Sequence, residues 1–124
     1  MIRTEHLTKQ FGKFTAVRDL ELNIREGEIY GFLGPNGAGK TTLFAMVAGF
    51  LQPNEGTVLF EEQDITGMKP HLICARGMVR TFQVTQPFAT LSTLENIMVG
   101  AYRSTSDRNE AAAKATAVAN QVGM

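Results

Sequence analysis

The sequence lacks the features that mark secreted, membrane-spanning and nucleic-acid-binding proteins. Its single cysteine, Cys74, has no partner for an internal disulfide, which is typical of a reducing compartment. Twelve basic and twelve acidic residues leave no net charge, so nothing in the composition favours nucleic acid as a partner. The most apolar stretch, residues 43–51, is about half as long as a membrane-spanning helix must be. We therefore predict a cytoplasmic protein with no direct membrane insertion and no nucleic-acid partner.

A glycine-rich segment carries the strongest functional signal. In "EIYGFLGPNGAGKTTLFAMVAGFL", the spacing of Gly34, Gly39, Lys40 and Thr41 matches the phosphate-loop pattern. The backbone N–H groups of such a loop surround phosphate oxygens, and a Cβ would fill the space they enclose. "EIYGFL" predicts a short buried strand before the loop, and "TTLFAMVAGFL" predicts a helix after it whose N-terminus favours an anion. These flanks favour a phosphate site over a glycine-rich turn before a core helix.

The predicted ligand of this loop is a nucleoside triphosphate with Mg²⁺. Lys40 would contact the β- and γ-phosphates as a catalytic cation, the Thr41 hydroxyl would bind Mg²⁺, and Thr42 would bond near the α-phosphate. The predicted nucleotide-binding residues of the loop are Gly34, Asn36, Gly37, Ala38, Gly39, Lys40, Thr41 and Thr42.

The rest of the chain predicts a mixed α/β arrangement. Alternating runs divided by turns at Gly12 and Gly27 predict antiparallel strands ahead of the loop. "TVLF" and "MVRTFQ" predict two further strands, and a short helix is expected over residues 70–77. A capping box formed by Ser92 and Glu95 predicts a helix start near Thr93. The alanine-rich end predicts a last helix with the apolar face Ala112, Ala115, Val118 and Val122.

Two acidic segments fit the magnesium-anchoring strand of phosphate-loop enzymes poorly. "VLFEE", residues 58–62, fits an exposed hairpin strand at least as well. "DITG", residues 64–67, resembles a GTPase motif, but the charged residues before it disfavour a buried strand. The second magnesium anchor is therefore not identified in the sequence.

Taken together, the motifs resemble the ATP-binding subunits of ABC transporters. "GPNGAGKTT" is similar to the family's phosphate loop, and Phe11 takes the place of an aromatic residue that stacks on adenine. "RTFQ", residues 80–83, takes the place of the family's glutamine loop. The stretch "GMVRTFQVTQPFATLSTLENIMVGAY" most resembles the subunits that power branched-chain amino acid import.

The resemblance implies an α/β fold of the P-loop NTPase class, an ABC-type nucleotide-binding domain with an antiparallel β subdomain and an incomplete RecA-like core. Residues 1–124 would be the N-terminal part of one such domain. They would comprise the antiparallel strands, phosphate loop, glutamine loop and start of the helical subdomain, with the C-terminal half absent. Since they contain no "LSGGQ"-like signature, Asp-Glu strand end or switch histidine, we expect Mg-ATP binding with negligible hydrolysis.

The resemblance also implies roles for residues outside the loop. Phe11 would stack on adenine, and Ala16 would line the same pocket. Gln83 would be a catalytic residue and metal ligand that reaches the γ-phosphate, Mg²⁺ or the attacking water. An ordinary core aromatic is the alternative for Phe11, and a solvated loop amide is the alternative for Gln83. Glu62 stands where relatives often have glycine in a hairpin, so the geometry of that turn is open.

The function implied by the resemblance is ATP-driven uptake of branched-chain amino acids. The expected partners are a second ATP-binding subunit, with nucleotide at the dimer interface, and membrane-spanning permease subunits contacted through the loop after Gln83. This would place the protein at the inner face of the cell membrane. A truncated, non-catalytic nucleotide-binding protein is the alternative, and a phosphate-loop kinase is disfavoured because only Arg103 and Arg108 could serve an arginine-rich lid.

Overall fold

The computed structural model describes all of residues 1–124 and divides them into two compact units. The first unit is Met1–Thr81 and the second is Phe82–Met124. The boundary between them falls within the segment predicted to be the glutamine loop, residues 80–83.

A four-stranded antiparallel sheet forms the first unit. Strands β1 (Ile2–Phe11) and β2 (Phe14–Ile24) make a long hairpin. Strand β3 (Glu55–Phe60) pairs with the other side of β1, and β4 (Gln63–Asp64) pairs with β3, giving the order β2-β1-β3-β4. The antiparallel strands predicted before the phosphate loop and the "TVLF" strand are thus confirmed.

Three register shifts interrupt the β1–β2 hairpin. Thr4 pairs with Leu22 and Leu7 pairs with Leu20, so β1 has one more residue than β2 between these pairs. Between the pairs Leu7–Leu20 and Lys9–Val17, it is β2 that has the extra residue. A bulge bends its strand and changes the direction of the neighbouring side chains. A third shift leaves Ala16 as an extra residue of β2 between the pairs Lys9–Val17 and Gln10–Thr15. Two of the three shifts thus lie in the part of β2 nearest the phosphate loop.

The core of the first unit lies between the sheet and two short helices, α1 (Lys40–Val47) and α2 (Pro70–Ala75). Both helices were predicted, and Pro70 begins α2 at the position where its missing N–H costs nothing. The buried core side chains are Leu7, Leu43, Met46, Val58, Ile65 and Ile73.

The β3–β4 connection is a two-residue turn that confirms the hairpin predicted for "VLFEE", but the strand is not exposed as predicted, because Val58 is buried in the core. Phe60 pairs with Gln63, and the two turn residues, Glu61 (φ 49°) and Glu62 (φ 60°), both have left-handed backbones. Two positive φ angles fit the twist of a hairpin, but they usually require Gly, Asn or Asp. The hairpin turn therefore forms with glutamate at position 62, where relatives often have glycine, and its left-handed backbone is strained.

Two predicted strands are absent from the structure. The segments "EIYGFL", residues 28–33, and "MVRTFQ", residues 78–83, contain no regular secondary structure. A strand forms only where another strand satisfies its N–H and C=O groups, and the sheet order places no strand beside either segment. The burial predicted for the first segment is wrong as well, because Ile29 is 102% and Leu33 is 99% exposed.

Two helices, α3 (Thr93–Ala101) and α4 (Arg108–Gln121), form the second unit. The capping box before α3 is confirmed. The Ser92 N–H donates to the Glu95 carboxylate at 2.9 Å, and the Glu95 N–H donates to the Ser92 hydroxyl at 3.3 Å. The bonds from Ser92 hold the pKa of Glu95 below its usual range. The Asp107 side chain caps α4 in a similar way.

The contact between α3 and α4 corrects the predicted apolar face of the last helix. Ala111 and Ala115 are fully buried and pack with Met98, whereas Val118 and Val122 are 50% and 67% exposed. Ala115 of the predicted face is thus confirmed and Ala112 is partly buried, but Ala111 takes the fully buried place because residues four apart share a helix face. The helix α3 is nine residues long and α4 is fourteen, so only part of α4 is covered. No helix of the chain has the length and apolar character required to cross a membrane.

Candidate phosphate-binding site

The phosphate loop joins residues 28–33, which pair with no strand, to the first turn of α1. Gly39 is the residue before the helix and has a left-handed backbone, with φ 84°. A Cβ at Gly39 would lie 2.3 Å from the carbonyl oxygen of Ala16. Glycine is therefore required for the loop to lie against the start of β2, and this contact fixes the loop next to Ala16.

The interior of the loop is a space that a side chain would occupy. A Cβ at Gly34 would lie 3.2 Å from the Ala38 Cβ and 3.9 Å from the Lys40 ammonium nitrogen. Such a Cβ would crowd the Ala38 side chain and would be in ordinary contact with the Lys40 ammonium. The residues present thus fit a group held by backbone N–H donors, as phosphate oxygens are.

Lys40 is the cation of this loop. Its half-buried side chain donates from the ammonium group to the carbonyl oxygens of Gly34, at 2.5 Å, and Pro35, at 2.8 Å. These bonds fold the side chain back over the loop instead of extending it into solvent. The positive charge of Lys40 is therefore held inside the loop, next to Gly34 and Pro35.

The N-terminus of α1 adds to this positive field. No side chain caps the helix, and its first turn contains no acidic residue. The hydroxyl groups of Thr41 and Thr42 make no hydrogen bond within the chain. The unpaired N–H groups and aligned peptide dipoles of a helix start favour an anion. Loop, lysine and helix start therefore form a consistent anion site.

A cavity of about 260 Å³ adjoins the loop. It is lined by Ala16, Arg18, Ala38, Gly39 and Lys40, and by the apolar residues Val17, Leu20, Phe32, Leu33 and Leu43. Two of the lining side chains are cationic and none is acidic, so the cavity favours a ligand that combines negative charge with apolar surface. It contains the predicted pocket residue Ala16.

A second, larger groove of about 450 Å³ lies on the β1–β2 hairpin and has a different character. Arg3, Glu5, His6 and Glu21 line it, and no residue of the phosphate loop does. Charges of both signs are interspersed there, so the groove shows no preference for anions.

Phe11 lies at the end of β1, paired with Phe14 across the hairpin turn. Its ring is 48% exposed, and the Lys9 ammonium lies 5.3 Å from the ring centroid. Phe11 does not line the cavity beside the loop. Adenine stacking by Phe11 therefore stays a prediction.

Gln83 belongs to the second unit, in the exposed irregular segment before α3. Its predicted roles toward the γ-phosphate and Mg²⁺ stay predictions. The chain has no cluster of three or more His, Cys, Asp or Glu side chains suited to hold a metal ion. Thr41, whose hydroxyl has no internal partner, remains the candidate magnesium ligand in the first unit.

Arg18 is the lining residue that sequence reasoning missed. It follows Ala16 by two positions, and a single basic residue in a strand gives no recognisable motif. Its place beside the loop depends on the bulge in β2 and on the contact between Gly39 and Ala16, and neither of these is visible in the sequence.

The glycine loop, the lysine bonded to it and the helix that follows define a protein of the P-loop NTPase class. A family model described as ABC transporter matches residues 17–124. The chain belongs to the ABC transporter family, as the motifs predicted.

The relatives support this assignment. A probable branched-chain amino acid transport ATP-binding protein, LivG, from Methanocaldococcus jannaschii is 41% identical over 100 residues, or 81% of this chain and 39% of the relative. A spermidine/putrescine import ATP-binding protein, PotA, from Rubrobacter xylanophilus is 40% identical over 109 residues, or 88% of this chain and 28% of the relative. The chain thus spans well under half the length of these two relatives.

The structure is also similar to a solved ATP-binding cassette of an ABC transporter in its ADP conformation. The TM-score is 0.75 at 37% identity, over 89% of this chain and 43% of that one. This similarity confirms the predicted fold class, an antiparallel β subdomain with part of an ABC-type P-loop core.

Proposed function

We propose that the chain binds Mg-ATP at the phosphate loop through Gly34, Asn36, Gly37, Ala38, Gly39, Lys40, Thr41 and Thr42. The observation that carries this proposal is the Lys40 ammonium, held at the Gly34 and Pro35 carbonyls beside an uncapped helix start. A phosphate group offers stronger, charged acceptors for the same donors. Phe11 and Ala16 would complete the site on the side of the base.

The chemistry of the site follows from its charges. Lys40 and the N–H groups of the first turn of α1 would balance the negative charge of the phosphates. Mg²⁺, when bound, neutralises phosphate charge, and the Thr41 hydroxyl and the Gln83 amide are the side chains that would hold it. The loop therefore binds and orients the phosphate chain.

The whole protein would be the energy-coupling subunit of an ABC transporter, in which ATP hydrolysis drives the uptake of branched-chain amino acids. The relative named for branched-chain amino acid transport supports this substrate class. A relative named for spermidine and putrescine import has nearly the same identity, so identity alone does not distinguish the two classes. A second ATP-binding subunit and membrane-spanning permease subunits, contacted after Gln83, are the proposed partners at the inner face of the membrane.

Residues 1–124 would be the N-terminal part of one nucleotide-binding domain and would hydrolyse ATP at a negligible rate. This proposal is supported by the sequence, which contains no signature motif, Asp-Glu strand end or switch histidine. Phosphate release by the 124-residue chain at a rate usual for ATPases, lost in Lys40→Ala, would contradict it.

The binding test is a calorimetric titration of the chain with Mg-ATP. Lys40→Ala should raise the Kd about tenfold or more, because it removes a charge-assisted contact to phosphate. Lys69→Ala is the matched control, since this exposed lysine lies in the same unit and its side chain makes no bond. Equal affinity of both variants would contradict the proposed site. Lys40-dependent binding without turnover, even with added subunits, would favour the non-catalytic alternative.

A further inference from the structure

Arg18 is a cation without a partner beside the phosphate loop. Its exposed side chain lines the same cavity as Lys40 and makes no hydrogen bond or ion pair within the chain. Arg3 and Arg76, in contrast, contact Glu5 and Gln63. All the guanidinium donors of Arg18 are therefore available to a ligand.

The acidic residue next to Arg18 in the sequence is engaged elsewhere. The Asp19 carboxylate bonds to the His6 ring at 2.7 Å, and the Asp19 N–H donates to the Thr8 hydroxyl at 3.0 Å. Asp19 is thus tied to β1 through both its side chain and its backbone. Since no acidic residue lines the cavity, the positive charge of Arg18 is not neutralised on the side of the loop.

The backbone fixes Arg18 close to the loop. A Cβ at Gly39 would meet the Ala16 carbonyl, so the start of β2 lies directly against the last residue of the loop. Arg18 follows this contact by two residues and forms the bulge of β2 together with Asp19. The bulge changes the direction of the side chains at this point of the strand.

We propose that Arg18 is a second cationic contact for the phosphate chain of the nucleotide held by the loop. The inference rests on the proposed binding of Mg-ATP. Two donors of Lys40 already bond to loop carbonyls, whereas the planar guanidinium of Arg18 presents several free donors that suit two phosphate oxygens at once. Lys40 would bind the phosphate group enclosed by the loop, and Arg18 would bind the phosphate groups of the nucleotide that extend into the cavity.

The test measures the affinity of Arg18→Gln for Mg-ATP and for magnesium tripolyphosphate, which has phosphates but no nucleoside. Arg18→Gln should weaken both ligands about three- to tenfold, the range expected for a partly exposed charged contact. Arg25→Gln is the matched control, because Arg25 is also exposed, has no side-chain partner and does not line the cavity. This control should remain within about twofold of the parent chain.

The outcomes separate this inference from the proposed function. If the parent chain binds Mg-ATP in a Lys40-dependent way and both glutamine variants bind equally, only the role of Arg18 is overturned. A loss confined to Mg-ATP, or a parent chain that does not bind tripolyphosphate, contradicts a phosphate contact. Should Arg18→Gln fail to fold, Arg18→Lys replaces it, with Arg25→Lys as its control. Lysine cannot form the two-pronged contact, so about a twofold loss confined to Arg18→Lys supports the proposal, and no difference overturns it.

Discussion

The site depends on single residues whose geometry leaves little freedom, and Gly39 shows this most clearly. Its backbone is left-handed, and any Cβ at this position would collide with the Ala16 carbonyl. Lys40, the next residue, begins α1 and folds its ammonium over the loop. The position of the Lys40 cation is therefore set by the backbone of Gly39 before it and of α1 after it. Substitutions of Gly39 should affect both stability and nucleotide binding.

We predict that Gly39→Ala lowers the free energy of unfolding by at least about 2 kcal/mol and weakens Mg-ATP binding. The methyl group would lie 2.3 Å from a carbonyl oxygen, which adds to the strain of the left-handed backbone. Gly12→Ala is the control, because Gly12 also has a positive φ, of 59°, but no atom lies within 4 Å of the position that its methyl group would take. Its cost should be about 1 kcal/mol. Equal costs in urea denaturation would refute the steric argument.

A second prediction concerns His6. The hydrogen bond to Asp19 and the negative charges of Asp19, Glu21 and Glu5 raise the pKa of His6 above 6.5. A group whose pKa is raised by folding stabilises the fold fully below its unfolded pKa, and this stabilisation is lost as the pH rises through the folded pKa. The urea midpoint should therefore fall as the pH rises from about 6 to 8. Asp19→Asn should reduce the dependence of the urea midpoint on pH. An unchanged dependence would argue against the His6–Asp19 interaction.

At the scale of elements, the signals that act locally were predicted correctly. The capping box of Ser92 and Glu95, the start of α2 at Pro70 and the helix after the phosphate loop each depend on residues within one turn. The phosphate-loop pattern is also local, because its glycines and lysine act through the backbone near them, and the nucleotide binding inferred from it stays a prediction.

The errors at this scale arise from contacts that are distant in the sequence. Residues 28–33 have the composition of a buried strand, but no strand of the chain pairs with them. Ala111 is fully buried against Met98 and Ala112 only partly, because the packing of α3 decides which side of an alanine-rich helix is covered. Arg18 was missed for the same reason, since its place depends on the pairing of β1 with β2. Local patterns do not specify such partners.

The β3–β4 hairpin provides a prediction at the element scale. Glu62→Gly should stabilise the chain by about 1 kcal/mol, because glycine adopts the left-handed backbone of this turn without strain. Glu21→Gly is the control, since Glu21 lies in β2, where φ is not positive and glycine should destabilise. The midpoints of urea denaturation at pH 8 compare the two variants. Loss of stability in Glu62→Gly would show that the turn is not strained.

At the scale of the whole molecule, apolar side chains remain in contact with solvent in each unit. In the first unit, the side chains of Ile29 and Leu33 are almost completely exposed. In the second unit, Phe82 and Phe88 are each more than half exposed. Exposed apolar surface of this kind promotes association. The chain spans 43% of a solved cassette of the same family, so it contains fewer residues to cover such surface than that relative has.

We predict that Ile29→Asn reduces self-association and changes the free energy of unfolding by less than about 0.5 kcal/mol. The Ile29 side chain contributes no burial in the chain, so its loss costs no packing. Ile65→Asn is the control, because Ile65 is 2% exposed and its replacement should cost about 3 kcal/mol or more. Sedimentation velocity over a range of concentrations measures the self-association of the two variants, and urea denaturation measures their free energies of unfolding. Unchanged association of Ile29→Asn would contradict the role of this segment.

The central claim is that the phosphate loop holds Mg-ATP through its backbone and Lys40. Hydrogen exchange of the backbone amides, measured with and without saturating Mg-ATP, tests it most directly. Exchange in residues 34–43 should slow when Mg-ATP is present, and no such change should occur in Lys40→Ala at the same nucleotide concentration. Binding of Mg-ATP that leaves exchange in residues 34–43 unchanged, or that slows it equally in Lys40→Ala, would show that the nucleotide is not held by this loop and Lys40.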